Sequence, residues 1–189
     1  MISAIERLYR CAMLAFGRGR ITFVDDTGAV QKIQVKFGQL EVIDNMPALH
    51  DFGFTSNPPI GSDIFASFIG GSRKNGTVVA VGNQTYRMKN LKSGEMAIYD
   101  NLGQSVYLTQ AGIVINGAGL PLTVNNTPKV TINASAEVDL NTPLLKVTGD
   151  IIDNSGTNGH TMAQMRTIYN SHTHSDPQGG TTGGPSATE

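Results

Sequence analysis

The chain opens with apolar residues at helical spacing and then changes to an alternation of apolar and polar residues with a period of two. The opening pattern predicts a short amphipathic helix over residues 2–16. Its apolar positions are Ile2, Ile5, Leu8, Ala12 and Phe16. Such a helix could pack on its own domain or act as a docking arm for a partner. We therefore treat residues 1–17 as a separate segment with both roles open.

Period-two alternation begins at Arg18 and predicts about five short strands joined by sequential hairpins. One connection ends in Asn75-Gly76, a pair that favours tight turns between antiparallel strands. This strand count fits a small closed barrel of the OB type over residues 18–87, with an open sandwich of similar size as the alternative. A barrel that binds nucleic acid would need aromatic platforms and a positive groove. The segment offers neither clearly, and we expect no nucleic-acid partner.

A junction at residues 88–104 leads into the longest alternating stretch of the chain. Between residues 130 and 141, polar residues occupy every odd position and apolar or small residues every even one. The even positions are Val130, Ile132, Ala134, Ala136, Val138 and Leu140. One narrow apolar face with open strand edges cannot close a core alone, whereas three chains wound about one axis can. We predict an intertwined homotrimer, a triple-stranded β-helix over residues 105–160, with a single-chain β-helix or sandwich as the alternative.

Composition agrees with a thin, repetitive β protein. Of 189 residues, 22 are glycine, aromatic residues make up 6% and tryptophan is absent, so few large side chains can fill a thick core. The net charge is −1 and no basic stripe is visible, which argues against binding to nucleic acid. Cys11 is the single cysteine, so no intrachain disulfide can form. Charged residues interrupt the apolar N-terminal patches, and we expect no signal peptide and no membrane span.

Two histidines lie close together near the C-terminus. In an extended segment, His172 and His174 share one face, because side chains alternate along a strand. Three chains would bring six imidazoles to one axis, and six-coordinate geometry disfavours tetrahedral zinc. With every position filled by protein, such a metal would be structural. The alternative is a pair of solvated histidines in a polar tail. Before this pair, residues 161–169 could form a short helix with an apolar face or an ordinary connecting turn.

A metalloenzyme is a different functional class that could use these histidines. Asp176 could supply an acid or base, but nothing in this polar tail would exclude water. We therefore expect that the protein has no enzymatic activity. A trimeric receptor-binding fibre or adhesin would share the shaft pattern, but it would normally end in a larger knob with exposed aromatic residues.

Three segments carry a resemblance to a known family. They are the hairpin GGSRKNGTVVAVG, the junction LKSGEMAIYDNLGQ and the tip YNSHTHSDPQGGTTGGP. Together with the order of helix, barrel, shaft and tip, the chain resembles the central spike of Mu-like contractile-tailed phages, the baseplate assembly protein V family. The resemblance covers essentially the whole chain, and the spike of a tailocin or of a contractile secretion system would have the same pattern.

The resemblance implies an all-β fold: an N-terminal OB-fold barrel followed by an intertwined homotrimeric triple-stranded β-helix with a metal-clamped apex at residues 161–189. The barrel would form a collar that docks on the tail hub protein, and the apex would be driven through the host outer membrane when the sheath contracts. It implies an axial iron held by His172 and His174 of each chain. Calcium and chloride ions on the axis are also implied, with Asp153 and Asn154 as candidates for a cation. We expect no lysozyme domain between the barrel and the shaft, and a non-enzymatic virion protein at the tail tip, assembled in the host cytoplasm.

Overall fold

The computed structural model describes residues 3–188, and strands predominate over helices. The described residues fall into two compact units, one ending at Asn126 and the other beginning at Thr127. The predicted all-β class is confirmed at this level.

The N-terminal helix α1 (Ala4–Met13) begins after Ser3, whose hydroxyl accepts a hydrogen bond from the Glu6 amide at 3.2 Å. None of its residues is buried. The helix approaches Gly71, where an added Cβ would lie 2.8 Å from the Cys11 carbonyl oxygen.

The predicted helix is therefore confirmed over its middle, but its two ends differ. Ile2 lies outside the described residues. Phe16, expected on the helix, is instead the first residue of β1 (Phe16–Asp25). It pairs with Ser67 and stacks on Phe65 at 5.5 Å between ring centroids, so contacts with the sheet replace a further helical turn.

Five strands form the N-terminal sheet, as the alternation predicted. After β1 come β2 (Lys32–Lys36), β3 (Val42–Pro47), β4 (Asp63–Phe68) and β5 (Gly76–Gly82). Their spatial order is β3-β2-β1-β4-β5, and every pair is antiparallel. The two edges meet, because Ala48 forms a parallel bridge with Val78 and the Leu49 amide donates to the Val78 carbonyl at 3.0 Å. The sheet therefore curls around its own core, and we call this region, residues 16–82, the barrel.

The core of the barrel follows the period-two pattern of its strands. Its largest fully buried side chain, Phe68, lies so close to β5 that a Cβ at Gly76 would be 2.5 Å from the ring. Glycine at this position therefore lets the strand pass the ring. The nine buried hydrophobic residues are Ile21, Ile33, Val35, Met46, Ala48, Ile64, Ala66, Phe68 and Val78.

A partly exposed cation closes one end of this core. The Arg73 guanidinium lies over the Phe68 ring at 4.2 Å and over the Phe37 ring at 5.3 Å. Its Nε also forms an ion pair with Glu41 at 3.0 Å. Arg73 thus covers the aromatic edge of the core while its charge is matched.

A second sheet consists of β6 (Met96–Tyr99), β7 (Ser105–Thr109) and β8 (Gly112–Asn116) in sequence order. We call it the meander. Its register aligns two rows of apolar side chains on one face. The rows are Met96-Leu108-Ile113 and Ile98-Val106-Ile115. All six side chains are 36–70% exposed, so the described residues leave much of this face open to solvent.

The chain after β8 has irregular structure with turns and is largely exposed until a second helix, α2 (Met162–Ser171). Residues 117–161 contain no strand in the described chain. The predicted apolar face of this segment is open, with Val130, Ile132, Val138 and Leu140 between 53% and 68% exposed. No described helix is long and apolar enough to cross a membrane.

Candidate metal centre at the apex

The two histidines follow helix α2 directly in the chain, and capping residues define the start of this helix. Thr161 and Gln164 form a capping box: the Thr161 hydroxyl accepts from the Gln164 amide, and the Gln164 side chain accepts from the Thr161 amide. Asp150 adds a carboxylate that accepts from the Ala163 amide at 3.2 Å. These bonds satisfy amides that the first turn of a helix leaves free. Of the two structures predicted for residues 161–169, the helix is confirmed.

His172 caps the C-terminal end of α2 with extended backbone angles. Its Nδ1 lies 2.6 Å from the Tyr169 carbonyl oxygen. A carbonyl only accepts hydrogen bonds, so Nδ1 carries the proton and the lone pair of the neutral ring is on Nε2. A metal-binding histidine typically donates its other ring N–H in this way.

His174 begins a short hairpin. Its amide donates to the Thr182 hydroxyl at 2.9 Å, and its carbonyl accepts from the Thr182 amide at 2.9 Å. Ser175 and Thr181 form an antiparallel bridge, and the Asp176 amide donates to the Gly180 carbonyl at 2.9 Å. The segment that carries His174 is therefore paired with the chain that follows it.

The two rings fit adjacent positions on one metal ion. Their centroids are 5.0 Å apart and their planes are at 88°. Imidazoles at neighbouring octahedral positions would have centroids about 4.5–5 Å apart, given metal–nitrogen distances of about 2.1 Å. Among the described residues, no group of three or more His, Cys, Asp or Glu side chains is close enough to hold a metal. His172 and His174 therefore stay a candidate pair of metal ligands, and their role as ligands stays a prediction.

The other sequence-predicted residues have local hydrogen bonds. Asp153 Oδ1 accepts from the Asn158 side chain at 2.9 Å, and the Asn154 carbonyl accepts from the amides of Thr157 and Asn158. Asp153 and Asn154 therefore lie in a turn, and their role as cation ligands stays a prediction. Asp176 shapes the hairpin, since its carboxylate accepts from the Gln178 amide at 3.0 Å.

Two contributors to the site were missed from the sequence. The Tyr169 carbonyl belongs to the backbone and leaves no trace in residue type. Thr182 could have been found from the turn signal Asp-Pro-Gln-Gly, because a hairpin centred there brings position 182 beside position 174.

Comparison with known proteins finds similarity over nearly the whole chain. Residues 18–85 match the family described as Bacteriophage Mu Gp45, N-terminal. The chain is 28% identical over 197 residues to the baseplate puncturing device gp45 of Escherichia phage Mu, covering 96% of this chain and 95% of that protein. It is 30% identical over 111 residues to the Mu-like prophage FluMu protein gp45 of Haemophilus influenzae, covering 59% of this chain and 60% of that protein. The resemblance to Mu-like baseplate spike proteins predicted from the sequence is confirmed by these matches.

Proposed function

We propose that three copies of the chain interwind to form the central spike at the tip of a contractile phage tail, and that this spike punctures the host outer membrane without an enzymatic step. The observation that carries the proposal is the open apolar face of the meander, with six cross-strand-paired side chains that are 36–70% exposed. The name of the phage Mu relative, a baseplate puncturing device, supports the same role.

A homotrimer accounts for that open face. An isolated three-stranded sheet is marginally stable in water unless its apolar face packs against something. Three meanders arranged about an axis would enclose their six-residue faces in one core. The same arrangement would cover the even positions from Val130 to Leu140, which alternate with polar residues such as Glu137 and Asp139. A shaft of this kind resists bending, because all three chains must separate together.

The barrel is proposed as an OB-fold collar that docks on the tail hub protein. A five-stranded order of β3-β2-β1-β4-β5 whose edges meet in parallel supports the OB assignment. Exposed apolar side chains on α1 and on the loop after β3 offer contact surfaces; Leu8, Phe52 and Phe54 are all more than 60% exposed.

The apex is proposed as an iron clamp. Nε2 of His172 and one ring nitrogen of His174, taken from three chains, would supply six imidazole ligands on the axis. A fully protein-ligated ion leaves no position for water or substrate, so its contribution is to crosslink three chain ends. Calcium and chloride on the axis are proposed from the family resemblance, with Asp153 and Asn154 as cation candidates.

Puncturing is favoured over receptor binding by the composition of residues 170–188. After Tyr169 the described residues include no aromatic side chain other than the two histidines, and small polar residues and glycine predominate. Such a tip offers no broad apolar surface to hold a glycan or to stay in a bilayer. We place the protein at the tip of the virion tail.

Native mass spectrometry of the full chain, purified without added metal, tests the proposal. We expect a trimer that carries one iron ion. A double variant, His172→Ala with His174→Ala, should lose the iron and remain trimeric. A monomeric wild-type protein would overturn the shaft, and a metal-free trimer would overturn the clamp alone.

A further inference from the structure

The two apical histidines are fixed by different parts of the chain. His172 follows α2 directly, and its ring is held by the Tyr169 carbonyl one helical turn earlier. His174 lies two residues farther on, beyond the last residue of the helix. Its backbone forms two hydrogen bonds with Thr182, eight residues away in sequence: the His174 amide donates to the Thr182 hydroxyl, and the His174 carbonyl accepts from the Thr182 amide. The geometry between the two rings therefore depends on the chain after the histidines as well as on the helix before them.

A turn built from local sequence brings Thr182 to this place. The Gly179 amide donates to the Asp176 carbonyl at 3.0 Å, and Pro177 lies at the position of the turn that suits its fixed φ. Gly179 has a φ of 88°, a left-handed value that side chains disfavour. The turn reverses the chain, and residues 180–182 then pair with residues 174–176.

We propose that Thr182 is a positioning residue for the metal site, and that the hairpin after the histidines sets the orientation of His174 before the metal binds. The inference rests on the proposed iron clamp. Thr182 contacts no ring nitrogen; it acts by fixing the backbone of His174 through its hydroxyl and its amide. Tyr169 holds the His172 ring and Thr182 holds the His174 backbone, and the two ring centroids lie 5.0 Å apart in this arrangement.

Pre-orientation should appear in how firmly the ion is held. If the hairpin were absent, each chain would lose conformational entropy as His174 became ordered on metal binding. In a trimer, three such losses would weaken the binding of one ion. Residues that orient metal ligands without touching the metal typically change affinity by about 10- to 100-fold when they are replaced.

The test uses three variants of the full-length protein. Thr182→Val removes the hydroxyl that accepts from the His174 amide and keeps the branched shape. Thr182→Ser keeps a hydroxyl and serves as the rescue, and Thr181→Val makes the same change one residue earlier as the matched control. Each protein is loaded with Fe(II), and transfer of iron to a competing chelator is followed over time. Trimer mass and thermal unfolding are recorded in parallel.

We expect Thr182→Val to release iron about 10- to 100-fold faster than wild type. Thr182→Ser and Thr181→Val should stay near the wild-type rate, with all trimers intact. Gly179→Ala should accelerate release in the same direction, because it strains the turn from a distance. Equal release from wild type and Thr182→Val would overturn this inference and leave the clamp standing. A wild-type trimer that takes up no iron would overturn both.

Discussion

The barrel buries apolar side chains within its own chain, whereas the chain that follows the barrel leaves its apolar side chains exposed. All nine buried hydrophobic residues belong to the barrel region, and no described residue between 83 and 188 is buried. Both regions nevertheless have the same period-two alternation. The difference lies in sheet closure: the barrel curls until its edges meet, whereas the meander remains three strands wide with one open face.

An alternating pattern therefore predicts that one face of a strand is apolar, but it does not predict whether the same chain or another chain packs against that face. In the barrel, residues of the same chain supply the other side of the core. In the meander and in residues 117–161, further copies of the chain are the proposed supply. Stability of the first region should therefore be independent of assembly, and stability of the second should depend on it.

The largest expected effect comes from placing a charge on the open face. Ile115→Asp would bury three unpaired carboxylates in a trimer, at a cost of several kcal/mol for each one. We expect the variant to be monomeric by native mass spectrometry while its barrel remains folded. Val114→Asp is the matched control, since Val114 lies on the opposite face of β8 and should leave the trimer intact. A trimeric Ile115→Asp protein would show that the meander face is not part of the trimer core.

The reverse experiment unfolds the barrel and spares the shaft. Phe68→Ala removes the largest fully buried side chain, and we expect a loss of about 3–5 kcal/mol in the free energy of unfolding of the barrel. Phe65→Ala, on the outer face of the same strand, removes only its stacking on Phe16 and should cost about 1 kcal/mol. Calorimetry should show the barrel transition moving to lower temperature in Phe68→Ala while native mass spectrometry still shows trimers. Loss of the trimer in this variant would mean that the collar, and not the shaft, holds the chains together.

The sequence predicted the strands of the barrel more completely than the contacts at the apex, and this difference has a physical reason. Alternation located the five strands because each has one face in a core formed by its own chain, as with Ile64, Ala66 and Phe68. The end of α1 was missed because Phe16 has an apolar side chain that suits a helix and a sheet equally. At the apex, residue type identified His172 and His174 only as candidate ligands. The groups that hold them, a backbone carbonyl and a threonine eight residues away, depend on three-dimensional pairing that the pattern does not encode.

A smaller effect should appear when pH is varied around the meander. The Tyr107 hydroxyl donates to the Glu95 carboxylate, which also accepts from the Lys92 amide at 2.8 Å. The Tyr107 hydrogen bond is the main cause that lowers the pKa of Glu95 below its ordinary value of 4.5, and the same bond raises the pKa of Tyr107 above 10.0. The contribution of Glu95 is present above pH 4.5 and is lost as pH falls through its lowered pKa. The contribution of Tyr107 is present below pH 10.0 and is lost as pH rises through its raised pKa.

Thermal unfolding of the protein, measured across this pH range, should therefore show losses of stability at both ends. Tyr107→Phe removes the hydrogen bond to Glu95 and should reduce the loss of stability at both ends of the pH range. At neutral pH the variant should be less stable than wild type, by less than the loss that Phe68→Ala causes. An unchanged pH profile in Tyr107→Phe would assign the losses to other groups. The result would show whether local bonds hold the strands of the meander before the chains assemble.

The smallest expected effect lies at the start of α2, where a single carboxylate adds to the capping box. A hydrogen bond from the Thr161 side chain is the main cause that lowers the pKa of Asp150, and backbone amides of Ile151 and Ala163 act in the same direction. Asp150→Asn removes the charge, and we expect faster amide hydrogen exchange in the first turn of α2 at neutral pH, with no change in trimer mass. The difference from wild type should vanish as pH falls through the lowered pKa of Asp150, because the wild-type carboxyl is then neutral as well. Asp153→Asn makes the same charge change outside the helix and should leave exchange in α2 unchanged. If Asp150→Asn exchanges at the wild-type rate, Thr161 and Gln164 hold the helix start unaided, and the local order of the apex needs no help from the chain before it.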